Sequence, residues 1–570
     1  MNSALIGAIG VAWFVAAYRI YGRIIEKKLI VPKNECRTPA HTRNDGVDYY
    51  PAKSMVLFGH HFSSIAGAGP IIGPVIAAHA FGFGPSLIWI LLGAVLVGAV
   101  HDYTTLMVSV RNDGRSIPDI AKEIVSNKTR ILFQIFVLIA LVFINAVFAI
   151  AAGKSFIAKG EIVIPAFGLI PIAMIFGWLV NKLRFPLLVG TLASLGLLAA
   201  LFFIGIRFPV TLPFENPQTT LQVWIAILML YGTIAAILPV WLLLQPRDYI
   251  ASWILAAGMA AGFAGLFITH RPVDAPMMTE WVSSTQGPMW PMLFILIACG
   301  AVSGFHSLVS SGTTAKQLSA ESDGKSVGFG AMITEGALAL LALLAVTAGL
   351  SFGRGSGGIP SLSGFLEPGG AGAISAFAAG FGTFTSPFMG AAGVLFGMMM
   401  LNAFVLTTLD TSVRLARFIS VELLGPLAAP LKNRYVATLI PVVISYLMAA
   451  TGSQGTLWPM FGAANQLIAA LALIVVTAYF IKENRSAKYT LIPAVFMLLT
   501  ACGALIWKGY AYLHGDAPNY TLAFSALVML FLAVFVGVQG MAAIRKSRNL
   551  LAPENDLALQ QPDTSAEQSS

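Results

Sequence analysis

The sequence predicts an all-α integral membrane protein of about fifteen transmembrane helices, containing a 5+5 inverted repeat whose first helices are broken. Three observations predict it. Only 10% of the 570 residues are charged while 57% are hydrophobic, and the mean hydropathy is +0.80. Water-facing domains carry roughly 25% charged residues, so this chain must face lipid. Apolar runs long enough to cross a bilayer recur along almost the whole length. Finally, glycines and prolines cluster in the middle of some of these runs rather than only between them.

A crossing needs about 20 mainly apolar residues. Such runs lie near 3–20, 54–80, 85–109, 130–152, 162–181, 186–206, 221–245, 249–269, 289–314, 327–350, 388–411, 434–451, 456–481, 489–508 and 519–541. The first run lacks the charged start and small-residue cleavage site of a signal peptide, so it reads as a span. The stretch 371–386 is apolar but short and reads as re-entrant or interfacial. Basic residues test the count. With the N-terminus outside, 28 of the 34 Lys and Arg fall on the inner side, and the C-terminus is cytoplasmic. Lys154, Lys159, Arg207, Arg271, Arg354 and Lys508 remain outside. The net charge of +9 is spread over short loops, so it is an orientation signal and not a nucleic-acid surface. Four segments follow: a first helix and basic loop (1–53), the repeat (54–411), additional helices (412–545) and a disordered polar tail (546–570).

The run from Ser54 to Phe81 carries Gly59, Gly67, Gly69, Pro70, Gly73 and Pro74. Gly67 lies about 20 Å from Ser54 at helical rise, which is mid-membrane. Backbone groups freed there are tolerated only where they are buried or line a cavity. A break bares the positive end of one half-helix and the carbonyls of the other, a pair suited to an anionic group and a cation. The predicted substrate-binding residues are therefore Ser63, Ser64, Gly67, Ala68, Gly69 and Pro70. An inverted repeat calls for a second interrupted helix, and 221–245, with Gly232, Pro239 and Pro246 at its end, is the expected one.

Ionisable groups inside spans are costly and usually functional. They are His60, His61, His79, His101, Asp102, His306, Glu335 and Asp410. Histidines among carboxylates can relay protons near neutral pH. The run 302–317 adds hydroxyls that could ligate a hard cation such as Na⁺, or simply join helices. The expected ion-coupling set is His60, His61, His101, Asp102, Ser310, Ser311, Thr314 and Glu335, with H⁺ or Na⁺ as the ion. Arg247 and Asp248, at a helix boundary, are the expected gate. Cys36, Cys299 and Cys502 show neither zinc nor disulfide spacing, so no metal and no cofactor are expected. Enzyme signatures and a phosphate-binding loop are absent from the sequence, so the chain reads as a non-enzyme, with no ATPase subunit evident.

Five motifs, FGHHFSSIAGAGPIIGP (58–74), LLQPRDY (243–249), SGTTAKQ followed by E-x-D-G-K (311–325), LTTLDTSVRLARF (406–418) and LWPMFGAANQ (457–466), resemble the carbon starvation protein A (CstA) family. They occur in order over roughly residues 1 to 545. That family is similar to the amino-acid/polyamine/organocation superfamily, whose fold is the LeuT-like 5+5 repeat. The resemblance implies a secondary transporter of the bacterial inner membrane that takes up peptides or pyruvate during carbon starvation. Its partners would be that small molecule and the lipid bilayer. A nutrient sensor without net transport, or a channel, stays open on the residues alone.

Overall fold

The computed structural model describes residues 1–33, 35–353, 360–367, 370–451, 454–514 and 518–551. Among these, fourteen helices are long and apolar enough to cross a membrane. The labels used below follow chain order. Helix α1 is Ser3–Ile30. The next span is two half-helices, α2 (Ser54–Ala66) and α3 (Gly69–Phe81). Then come α4 (Phe83–Val110), α5 (Asn127–Ala158), α6 (Gly160–Lys182), α7 (Leu187–Arg207), α8 (Pro217–Ile237) and α9 (Leu244–Thr269). A second pair of short helices follows, α10 (Met289–Leu296) and α11 (Gly304–Gly312). The remainder is α12 (Glu321–Ala348), α13 (Gly372–Met389), α14 (Ala392–Leu424), α15 (Arg434–Thr451), α16 (Leu457–Lys482), α17 (Lys488–His514) and α18 (Tyr520–Lys546).

Packing pairs most of these elements with an inverted mate. Half-helix α10 lies against α3, and α11 lies against α2, so the two interrupted helices run antiparallel side by side. Helix α9 flanks α2 as α16 flanks α11. The long helices α5 and α14 cross each other, and α8 and α15 each pack on both of them. The α6–α7 hairpin lies outside this arrangement, while α17 and α18 cover α16.

The second interrupted helix is not 221–245, which corrects the sequence reading. Helix α8 is continuous through Gly232 and ends at Ile237. Pro239 turns the preceding Leu238 extended, and Pro246 sits in the first turn of α9, where its missing N–H has no partner to lose. Both prolines therefore mark helix ends. The true interruption is Ile297–Ser303, between α10 and α11, inside the expected crossing 289–314. The stretch expected at 371–386 is an 18-residue helix, α13, packed on α3, α9, α12 and α14. The final helix continues to Leu551, into the expected disordered tail, and residues 552–570 lie outside the described residues.

Candidate functional site

The first break is built by glycine. Gly67 has φ +44° and ψ −154°, a conformation that L side chains rarely adopt. A Cβ at this position would come within 2.9 Å of Thr408 Oγ1 and 3.4 Å of the Phe148 ring. Helix α3 restarts at Gly69, with Pro70 in its first turn, where no N–H is needed. The Ala68 carbonyl accepts from Ile71 and Ile72 at 3.2 and 2.9 Å. No acceptor among the described residues takes the amides of Gly67, Ala68 or Gly69. Gly69 abuts Cys299, and Gly73 abuts the Leu296 carbonyl, so glycine lets the two interrupted helices touch beside their breaks.

The second break is held by polar side chains of α16. Asn465 Oδ1 accepts from the Phe305 amide at 2.8 Å, capping α11. Gln466 Nε2 donates to the Phe294 carbonyl at 2.9 Å and to that of Val302 at 3.2 Å. Trp89 Nε1 donates to the Ile297 carbonyl at 3.2 Å. These bonds satisfy the Phe305 amide and the carbonyls of Phe294, Ile297 and Val302, while the amides of Ala298, Cys299 and Gly300 have no acceptor among the described residues.

Two buried ionisable clusters flank the breaks. In the first, His60 Nδ1 is 2.6 Å from Asp248 Oδ2. Its Nε2 meets the Gln317 amide at 3.1 Å, and Gln317 Oε1 in turn accepts from Gln245 at 2.8 Å. This chain of donors assigns the His60 proton to Nδ1. Ser64 donates to Asp248 Oδ2 at 3.0 Å, and Ser63 donates to the Asp248 carbonyl at 2.8 Å. Arg247, 2% exposed, donates to Asp248 Oδ1 at 2.9 Å and to Asp410 Oδ1 at 3.0 Å. It also contacts Asp410 Oδ2 and the Tyr231 hydroxyl, and Tyr231 donates to Asp410 at 2.8 Å. Each oxygen of the two aspartates has a donor.

In the second cluster, Asp102 of α4 joins two histidines. His101 Nδ1 lies 2.7 Å from Oδ1 and His306 Nδ1 lies 2.8 Å from Oδ2. His306 Nε2 is 3.3 Å from Glu335 Oε2 on α12. All four side chains are fully buried, and no Lys or Arg pairs with them among the described residues. Among the described residues, His101 Nε2, His306 Nε2 and both Glu335 oxygens have no hydrogen-bond partner.

The sequence-predicted residues divide between these places. His60, Ser63, Ser64, Arg247 and Asp248 meet in the first cluster, although they were sorted by sequence into three different roles. His101, Asp102 and Glu335 meet in the second. His61 Nδ1 pairs with Thr314 Oγ1 at 2.9 Å, while Ser311 donates to the Ser307 carbonyl at 2.7 Å and accepts from the Ile117 amide at 3.3 Å. Ser310 Oγ is buried without a partner among the described residues. Sequence reasoning counted Asp410 and His306 among buried ionisable groups without placing them in a site. It missed Tyr231, Gln317, Asn465 and Gln466, although an Asn-Gln pair inside an apolar run was a usable signal.

At the basic face of the bundle, the segment leading into α2 forms a strap. Tyr50 N donates to the Lys316 carbonyl, Ala52 N to that of Gln317, and Val240 N to that of Val47. Asp48 pairs with Arg414 at 2.7 Å and Arg417 at 3.0 Å. Burial pushes the Asp48 carboxyl up, but the charges of Arg414, Arg417 and Lys316 outweigh it and hold the group below its ordinary value.

Known proteins agree with this architecture. The Bacillus subtilis peptide transporter CstA is 32% identical, over 96% of this chain and 99% of its own length. The Escherichia coli pyruvate/proton symporter BtsT is 34% identical, over 94% of this chain and 91% of its own length. The crystal structure of MhsT in complex with L-phenylalanine is similar in fold, with a TM-score of 0.51 at 14% identity, over 86% of this chain and 99% of that one. The likeness agrees with the LeuT-like inverted repeat. Residues 2–352 and 367–504 match the family described as carbon starvation protein CstA, and the chain belongs to that family.

Proposed function

We propose that this protein is a proton-coupled secondary transporter that takes up small carboxylate-bearing nutrients, peptides or pyruvate, across a bacterial inner membrane during carbon starvation. The observation that carries the reading is the pair of facing interrupted helices, one with free amides at Gly67–Gly69, beside a buried acid–imidazole cluster. The substrate carboxylate meets those amides at the positive end of α3. Ser63 and Ser64 hold the break in place through Asp248, and Pro70 restarts the helix.

Protons bind at His101, Asp102, His306 and Glu335. Two carboxylates without a cation are neutral only with two bound protons, and burial makes that neutrality strongly favoured. Three titratable groups with unpaired atoms, His101, His306 and Glu335, favour H⁺ over Na⁺, since of the expected hydroxyl ligands Ser311 and Thr314 already have partners and only Ser310 has none among the described residues. His60, Arg247 and Asp248 form a charged lock between α2 and α9. The transporting core is 54–269 without the α6–α7 hairpin, together with 289–482, and it reaches beyond the expected limit at 411. The basic face is cytoplasmic, with the N-terminus outside and the C-terminus inside.

The test is uptake of labelled pyruvate and dialanine into proteoliposomes with an imposed proton or sodium gradient. Saturable uptake driven by outside acid is the expected result. Saturable binding without counterflow would make the protein a sensor, and flux without saturation a channel.

A further inference from the structure

A cavity of about 410 Å³ opens at the end of the bundle opposite the basic face. Its wall includes Ile72 and Ile76 of α3, Lys154 and Ser155 of α5, Leu366 and Trp458. Among the described residues Lys154 is the one charged side chain in this wall, and it has no carboxylate partner there. The Ser155 hydroxyl is engaged by the Asn402 amide, so it is not a free ligand. Between the cavity and the first break lies a layer of three rings. Trp458 packs on Phe461 with ring centres 5.3 Å apart, and Phe461 on Phe148 at 5.6 Å. Phe148 is the ring closest to Gly67, and Ile72 is one turn from Ala68.

We propose that this cavity is a capture subsite for the substrate, in which Lys154 pairs with the carboxylate before it passes the aromatic layer to the amides of Gly67–Gly69. The proposal rests on the transport reading above. A single ammonium at the mouth of an apolar cleft focuses the field on anions and raises their local concentration. The rest of the solute is covered by Ile72, Ile76 and Leu366. No acid in the described wall pairs with an ammonium, so the subsite reads only the anionic end. A monocarboxylate and the C-terminus of a peptide both supply that chemistry.

The test compares wild type with Lys154→Gln and Lys154→Arg, reading equilibrium binding in detergent beside counterflow in proteoliposomes. The probes are pyruvate, dialanine and dialanine amide. Lys154→Gln should raise Kd and KM about tenfold for the carboxylates that wild type binds, with maximal rate and thermal unfolding unchanged. Lys154→Arg should stay close to wild type, and dialanine amide should be insensitive to either change. A response confined to pyruvate or to dialanine identifies which of them uses the subsite. Unchanged carboxylate Kd and KM in Lys154→Gln, or an equal effect on the amide, overturns the subsite. If wild type binds carboxylate through Lys154 but shows no counterflow, the subsite stands and the transport reading falls. If wild type binds no carboxylate, both fall.

Discussion

The two buried clusters are made of similar side chains and differ in one group. The cluster of His60, Asp248 and Asp410 contains Arg247, a permanent cation, and every carboxylate oxygen in it has a donor. The cluster of His101, Asp102, His306 and Glu335 has no such cation among the described residues, and Glu335 makes no hydrogen bond there, only an approach of 3.3 Å from its Oε2 to His306 Nε2. A carboxylate held by guanidinium keeps its charge through a reaction cycle. A buried carboxylate without one changes charge by taking a proton. The comparison teaches that the first cluster can hold its charge while it joins helices, and that the second suits the proton-binding role proposed for it.

The largest test of that difference is Arg247→Ala. It leaves two aspartates buried without compensation, a cost of about 3–5 kcal/mol. Thermal unfolding in detergent should show a large drop in Tm together with loss of transport. Normal stability would remove the distinction between the clusters. Next is Glu335→Gln, which mimics a permanently protonated acid. Coupling to one proton supports up to about tenfold accumulation per pH unit. The variant should lose that accumulation, keep counterflow and unfold near the wild-type temperature. If a pH gradient still drives accumulation, the proton store lies elsewhere.

Gly67→Ala has a smaller effect, about 1–3 kcal/mol from the backbone alone, because positive φ with ψ −154° is essentially a glycine conformation. Thr408→Ala in the same chain should relieve the contact with Thr408 Oγ1 but leave the backbone strain, so rescue should be partial in a binding titration. Last is Asp48→Asn at the strap, about 1–3 kcal/mol, because it takes the carboxylate from the buried Arg414 and Arg417 while Arg414 keeps the carbonyls of Ala235 and Leu238. Asp48 is held below its ordinary value, so its contribution is present above about pH 3.9 and is lost as pH falls through the folded value. Hydrogen exchange of residues 46–53 should accelerate in the variant at neutral pH, and the difference from wild type should vanish in acid.

Much of the fold was legible because span length and charge placement are local properties. Each expected crossing has a helix or helix pair, and the break at Gly67 announced itself by glycine followed by proline. The second break did not. It contains no proline, and the groups that stabilise it, Asn465 and Gln466, lie about 160 residues further along the chain. Proline also misled, because at 239 and 246 it ends helices without interrupting one. The site was half legible for the same reason. Single buried ions stand out in apolar runs, but the partnership of Arg247 with Asp410 spans 163 positions and exists only after folding. Ser311 shows the reverse error, since its hydroxyl is spent on a carbonyl four residues back.

The clamp of α16 on the second break restricts how the molecule can change shape. If α16 drew away from α11, the Phe305 amide and the carbonyls of Phe294 and Val302 would be stranded in a dry interior. α10, α11 and α16 must therefore travel together, carrying α17 and α18 with them. The first break is braced differently, by Thr408 of α14 on the Ser64 carbonyl at 3.1 Å and by Asp248 of α9 on Ser63 and Ser64, with nothing among the described residues across its free amides. The two matched breaks are thus tied to different neighbours, the second to α16 and the first to α9 and α14.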